Sequence, residues 1–431
     1  MGATETTEHA LGEQLAVDKI SYEDLYARWE KANWSAMEID FSEDARQWRD
    51  ELTDFERRAA LWNYALFFWG EDAVADNLSP YVDAAPLEEQ KYFLATQQVD
   101  EARHAVLFGR FMREVVGLGR DQAESLEAIR PQLTWGFRKV FDRLDTMADE
   151  LRRDRSKPKL AAAVALYHVI VESVLAQPGQ HFIERYLDER DLFPGFRGGM
   201  RNISLAEQRH IGFGVKLLAD LQREDPRCRE TVAELLREVM PWTIAVLTPP
   251  GWDRRYTEVF GFTIEEISTE AAASLDAKLR SAGMPVDELP GAPPLPTGLT
   301  PKEQIELVVP LVEAGVFGEK NGRLRRDPEI VELLFDLMRR SVNLRHGLEE
   351  PVTIQWRFPD APDWWVRIEN GSTSAQPGID PAADLTLRCR YEDWVDVIGN
   401  RRNPRVLMAT GRLRPSGSLG LLLRMPGLFG R

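Results

Sequence analysis

Two tetrapeptides constrain this chain more than any other feature: Glu101-Ala102-Arg103-His104 in QVDEARHAVLF and Glu207-Gln208-Arg209-His210 in SLAEQRHIGFG. The chain has only 6 His among 431 residues, so two Glu-x-x-His pairs, both with Arg before His, point to two copies of one device. On a helix, residues i and i+3 share a face, and each pair presents one carboxylate and one imidazole in the same direction. The fold must therefore offer at least two helices whose acidic faces can meet.

The flanking sequence supplies them. From Tyr22 to about Gly283, windows such as SEDARQWRDELTDFERRAALWNYALFFWGEDAVADNL carry apolar residues at three-and-four spacing. Breaks fall at SPYVDAAP, RRDRSKPK, DLFPGFRGG and LTPPGWD, where Pro, Gly or charge clusters stop helices. About eight helices are expected, several long enough to favour a bundle. In AQPGQHF, Pro178 and Gly179 interrupt a helix that should otherwise continue, and a kink opening the ligand side of the site is expected there.

Two further carboxylates lie in apolar surroundings: Glu71, after LWNYALFFWG, and Glu172, in VALYHVIVESVLA. A buried carboxylate must protonate or find a partner, and a metal ion is such a partner. The order Glu71, Glu101-x-x-His104, Glu172, Glu207-x-x-His210 is the ligand order of a bundle di-metal site, suited to iron or manganese. Arg103 and Arg209 read as ion-pair partners that orient the carboxylates. His168 and His181 stand alone and read as packing or hydrogen-bonding residues.

Residues 284–301, MPVDELPGAPPLPTGLTP, form a Pro-rich, semi-extended linker between a bundle at 21–283 and a second domain at 302–431, with a tail at 1–20. In the second domain the period changes to two: VTIQWRF and LTLRCRY alternate apolar and polar residues, and WWVRIENG reads as a strand ending in a turn at Asn370-Gly371. With helical segments around the strands, this part is α+β.

Charge separates the two parts. Residues 301–431 carry 19 Lys and Arg against 18 Asp and Glu, whereas the whole chain has a net charge of -16. Such a balance argues against nucleic acid as a partner. From Arg401 to Arg431 seven Arg and no acid are interleaved with leucines, a tail expected to dock on the acidic bundle or, transiently, on an anionic membrane. The polar, acidic N-terminus lacks a secretory pattern, and Cys228 and Cys389 fall in different domains, so a reducing cytoplasm is expected.

These residues resemble the ferritin-like di-metal carboxylate proteins over about residues 20–285, including an entry segment at YARWEKANWSAMEIDFSEDARQW. Within them, the ribonucleotide reductase small subunit usually carries a radical Tyr where this chain has Phe108, and its C-terminal tail is replaced here by a linker and a domain. The chain is more similar to the ribonucleotide reductase-like ligand-binding oxidases. That resemblance implies a manganese/iron or two-iron cofactor, dioxygen, a fatty-acid-like ligand and an unidentified reductant. It also implies manganese at Glu71, Glu101 and His104, iron at Glu172, Glu207 and His210, and an ether cross-link between Val74 and Tyr167.

Two alternatives stay open: a di-iron oxygenase or desaturase without the cross-link, and a lipid-binding protein whose metal centre is structural or redox-sensing. The extra metal-binding His of arylamine N-oxygenases would fall at Ile203, which weakens an amine substrate. Residues 302–431 resemble a sterol carrier protein type-2 domain, which implies an apolar tunnel for lipid or acyl groups. A homodimer is left open.

Overall fold

The computed structural model describes residues 17, 19–320, 324–346, 348 and 350–430. The tail expected at residues 1–20 lies almost wholly outside them, as does Arg431. The chain divides into two compact units, residues 1–232 with 249–285, and residues 233–248 with 286–431.

The first unit is helical. Its principal helices are α1 (Tyr22–Lys31), α2 (Ser42–Asp50), α3 (Asp54–Asn77), α4 (Glu88–Phe111), α5 (Trp135–Arg153), α6 (Lys157–Val164), α7 (Gln177–Arg190) and α8 (Pro194–Glu224). Helix α9 (Arg227–Thr243) crosses the unit boundary, and α10 (Ile264–Ser281) returns to the first unit. One- and two-turn helices connect them. The start of α3 is set by sequence: Thr53 accepts from the Glu56 N–H at 3.2 Å while Glu56 accepts from the Thr53 N–H at 2.7 Å, a reciprocal cap.

The core holds fully buried aromatics, among them Trp62, Tyr64, Phe68, Phe93, Phe108, Phe111, Phe193 and Phe196. Each such ring contributes roughly 1.5–3 kcal/mol by leaving water. Phe108 stacks on Phe67 with centroids 6.0 Å apart and meets Phe196 edge-on at 5.5 Å, so an aromatic cluster surrounds this position.

Between α6 and α7 the chain does not break. Residues Ala165–Ala176 wind as a π-helix, and Pro178 sits in the first turn of α7. Pro178 has no N–H to give a carbonyl one turn back. The Ser173 carbonyl, five residues earlier, accepts instead from the Ser274 hydroxyl of α10 at 3.0 Å. The expected kink thus takes the form of a widened helix, and the freed acceptor is satisfied from a neighbour. The stretch Lys157–Arg190 is long and apolar enough to cross a membrane, but it is mostly buried and serves as a core helix.

The second unit contains α11 (Pro301–Glu313), α12 (Pro328–Arg340), a five-stranded sheet, α13 (Tyr391–Ile398) and α14 (Leu419–Phe429). The strands are β1 (Val352–Arg357), β2 (Trp364–Glu369), β3 (Ser372–Pro377), β4 (Leu385–Arg388) and β5 (Arg414–Gly417), in the order β3-β2-β1-β4-β5. Only β1 and β4 run parallel. Asn370 and Gly371 both have positive φ, 50° and 72°, and close the β2–β3 hairpin as their side chains allow. Phe335 stacks on Trp364 at 5.2 Å and meets Trp356 at 5.4 Å, joining α12 to the sheet.

Two sequence expectations change here. Residues 233–248, read as part of the bundle, group with the second unit, where the Glu238 carbonyl accepts from Asn400 Nδ2 at 3.0 Å. The Pro-rich segment is not a free spacer: Leu289 and Ala292 are buried, Arg345 donates to the carbonyls of Asp287 and Glu288, and Thr297 N–H donates to the Arg340 carbonyl. Proline limits its regular structure, but its apolar side chains still have a core to join.

Candidate metal centre

The spacing of the two Glu-x-x-His pairs puts Glu101 and His104 on the inner face of α4, and Glu207 and His210 on that of α8. Glu71 enters from α3, and Glu172 from the π-helix. All six residues are buried, none more than 6% exposed. They form two overlapping groups of four, Glu71, Glu101, His104 and Glu207, then Glu101, Glu172, Glu207 and His210, with candidate ligand atoms within 4.8 Å of one another in each.

His104 Nδ1 lies 3.2 Å from Glu71, 3.4 Å from Glu101 and 3.6 Å from Glu207. His210 Nδ1 lies 3.1 Å from Glu101 and 3.6 Å from both Glu172 and Glu207. Glu101 and Glu207 therefore stand between the imidazoles and belong to both groups.

Four carboxylates in a dry core cannot all remain ionised without compensating charge. Burial pushes Glu71 up to about 8 against the pull of His104, and burial with the nearby Glu207 charge pushes Glu172 well above the carboxylate range. For Glu101 burial acts in the same direction but is outweighed by His210 and His104, which hold it well below that range. Burial lowers His104, yet Glu71 and Glu101 outweigh it and carry the imidazole up to about 10. Without metal, the cluster keeps protons at neutral pH, which a metal must displace.

The donor set fits two divalent cations. Glu172 Oε2, Glu207 Oε2 and His210 Nδ1 are buried without a hydrogen-bond partner among the described residues, whereas buried polar atoms are generally paired. Nitrogen and carboxylate oxygen together suit iron or manganese.

Side chains beyond the six fix their geometry. Asp100 faces His210 Nε2 at 3.2 Å and accepts from Trp29 Nε1 at 3.0 Å, from Arg103 at 3.1 Å and from Arg209 at 3.2 Å. Arg103 and Arg209 thus converge on Asp100, rather than on the cluster carboxylates. Sequence reasoning missed Asp100, although it directly precedes Glu101; its counterpart before Glu207 is Ala206, so the two copies are not equivalent. Gln97 was missed as well. Its amide donates to Glu172 Oε1 at 2.8 Å, which leaves its oxygen to accept from His168 Nε2 at 3.1 Å. His168, kept neutral by burial with its pKa down to about 3, holds the amide that holds the carboxylate. His181 is exposed and lies 3.4 Å from Glu270.

Tyr167 donates its hydroxyl to Glu101 Oε1 at 2.8 Å, and burial with the Glu101 charge raises its pKa well above that of a free phenol. Residues five apart on an α-helix point roughly 140° away from one another. The i→i+5 bonding of the π-helix brings Tyr167 and Glu172 nearly onto one face. Val74 is buried on α3, three residues after Glu71 and on the same face.

Helix approach at the site is set by Gly214, where a Cβ would lie 2.2 Å from His168 Cβ. Gly214→Ala should lower the stability of the metal-free protein by about 1–3 kcal/mol through overpacking. Gly212→Ala, with open space at its Cβ, should be neutral or slightly stabilising. Thermal unfolding of both variants checks this; equal melting temperatures would remove the claim of close approach.

A bundle that gathers two Glu-x-x-His helices and two further Glu-bearing segments round one buried point is of the di-metal carboxylate type. The chain belongs to the ribonucleotide reductase small chain family, which matches residues 16–248. Residues 346–430 match the SCP-2 sterol transfer family. Among solved structures, the chain is similar to an R2-like ligand-binding oxidase with an aerobically reconstituted Mn/Fe cofactor, at 24% identity and a TM-score of 0.55, covering 61% of this chain and 93% of that one. A glycine-to-leucine mutant of an R2-like ligand-binding oxidase, with an aerobically reconstituted Fe/Fe cofactor, matches at the same identity, coverage and TM-score. At this identity the likeness is one of fold.

Proposed function

We propose that the chain is a dioxygen-using di-metal oxidase, with a manganese/iron or two-iron centre, acting on an apolar ligand of the fatty-acyl type. The observation that carries this reading is the pair of overlapping Glu and His groups sharing Glu101 and Glu207 in a dry core. The R2-like ligand-binding oxidases of similar fold, which carry Mn/Fe or Fe/Fe cofactors, support it. When bound, the metal pair supplies the redox capacity that side chains lack.

The chain's own residues do the rest. Glu71 and His104 would hold one ion, Glu172 and His210 the other, and Glu101 and Glu207 would lie between the two. Asp100 fixes the His210 ring with Nδ1 inward, and Gln97 fixes Glu172. Burial excludes water. The Tyr167 hydroxyl, hydrogen-bonded to Glu101, is held at the site with its hydrogen toward that carboxylate. Loss of that hydrogen and one from Val74, with formation of an O–C bond, is a two-electron oxidation whose electrons go to dioxygen. The C-terminal unit, matched to a sterol transfer family, would bind or deliver the apolar ligand. We place the protein in the cytoplasm, with a reductant still to be identified; contact of α14 with a membrane is part of the same reading, since Leu419 and Leu423 are 67% and 74% exposed.

The test is peptide mass spectrometry on metal-free protein loaded with iron and manganese and then exposed to air. A joined Val74 and Tyr167 peptide pair, two hydrogens lighter than the sum, should form; it should be missing from an anaerobic control and from Tyr167→Phe. Metal binding without a link would favour an oxygenase or desaturase. Absence of metal binding would end the oxidase reading.

A further inference from the structure

The sheet of the second unit carries a feature that the oxidase reading does not use. Arg357, Arg388 and Arg414 stand side by side on three adjacent strands: β1 and β4 pair Arg357 with Arg388, and β4 and β5 pair Arg388 with Arg414. Like charges directly opposite one another on a sheet are destabilising. A carboxylate relieves this row only at the Arg357 end. Arg357 pairs with Asp363 at 2.8 Å, while Arg388 has no acidic partner among the described residues and Arg414 gives its Nε to the Gly411 carbonyl at 2.8 Å. Arg388 and Arg414 are both exposed.

The row opens on a cavity of about 870 Å³ that Arg390 and Arg412 also line. Arg412 is paired with Asp393, but Arg390 lies 3.6 Å from Asp360, whose nearer partner is Arg326 at 3.1 Å. Five guanidinium groups therefore meet too few carboxylates. Phe358, Pro359, Cys389 and Pro415 give the same cavity an apolar wall.

We propose that this cavity is a phosphate site: Arg388 and Arg414 hold the phosphate group of a small amphipathic ester, whose apolar part lies over Phe358, Pro359 and Pro415. One guanidinium fork satisfies a carboxylate, which would leave the second Arg of the row uncompensated. Neighbouring strands are roughly 5 Å apart, so two adjacent forks can each give paired N–H groups to one tetrahedral dianion. Such a site needs no metal and does not depend on the oxidase reading.

Metal-free full-length protein is titrated calorimetrically with decyl phosphate below its micellar concentration. The double variant Arg388→Gln/Arg414→Gln should bind it about 10-fold more weakly or worse, since charge-assisted forks are lost. Arg405→Gln, which removes an exposed charge outside the cavity, should stay within about twofold. Both altered positions are exposed and the row repels itself, so the melting temperature should be unchanged or slightly raised. Competition by inorganic phosphate would support the site and show that a free phosphate suffices; binding of the ester without such competition would support it with the apolar wall required. Equal affinity of the double variant, or equally tight binding of decyl maltoside, would overturn the proposal. Binding confined to phosphatidic acid vesicles, with none of the soluble ester, would overturn it in favour of surface docking.

Discussion

Glu101→Ala should leave a helical protein that retains about none of the roughly two metal ions expected per chain, whereas Glu71→Ala should retain about one. The difference follows from geometry. Glu101 lies 3.4 Å from His104 through one oxygen and 3.1 Å from His210 through the other, and it belongs to both ligand groups. Removing it takes one oxygen from each position and leaves the two imidazoles unscreened. Glu71 belongs to one group only, so its loss leaves Glu101, Glu172, Glu207 and His210 intact. Metal content after loading and desalting, read by plasma mass spectrometry with circular dichroism as the folding control, decides the matter. If Glu101→Ala keeps both ions, the shared-ligand arrangement is wrong.

This arrangement was largely legible in the sequence, because helix periodicity is rigid. Once Glu101 and His104 sit on one helix face, and Glu207 and His210 on another, few ways remain to bury them except against each other. Glu172 was legible for a different reason: a charge among Val, Ile and Leu must have a partner. What could not be read depends on local winding or on pairing across the chain. The π-helix at Ala165–Ala176 has the same apolar composition as an α-helix, and it alone aligns Tyr167 with Glu172.

The second unit shows the same division. Alternation in VTIQWRF placed Ile354 and Trp356 in the core, as found, and would have exposed Thr353 and Gln355. Both are buried. The Gln355 amide donates to the carbonyls of Trp356, Trp364 and Gly378 and its oxygen accepts from the Asp380 N–H, so a loop covers that face by hydrogen bonding that no periodicity announces. Strand β3, STSAQP, has almost no apolar residue and is specified by the Asn370-Gly371 turn and the edge of β2.

The second large effect is expected at Asp100, which sequence reasoning passed over. Asp100→Ala should destabilise even the metal-free protein by about 3–5 kcal/mol, because removing one partner strands buried charge. Arg103 and Arg209 have side chains only 14% and 10% exposed, and both give a guanidinium N–H to Asp100. Burial alone would raise the Asp100 pKa, but His210, His104 and Arg209 outweigh it and keep the group ionised. It is therefore the counter-charge that lets two arginines sit beside the Glu and His cluster. It also sets the ring of His210, so metal affinity at that position should fall about 10–100-fold. Asp100→Asn separates the two roles: the amide oxygen can still accept from one neutral or cationic donor, but the charge is lost. Urea unfolding of the metal-free variants, followed by metal titration, reads the effects in sequence. Near wild-type stability for Asp100→Ala would mean that Arg103 and Arg209 find other partners, and that the residue beside Glu101 does not organise the site.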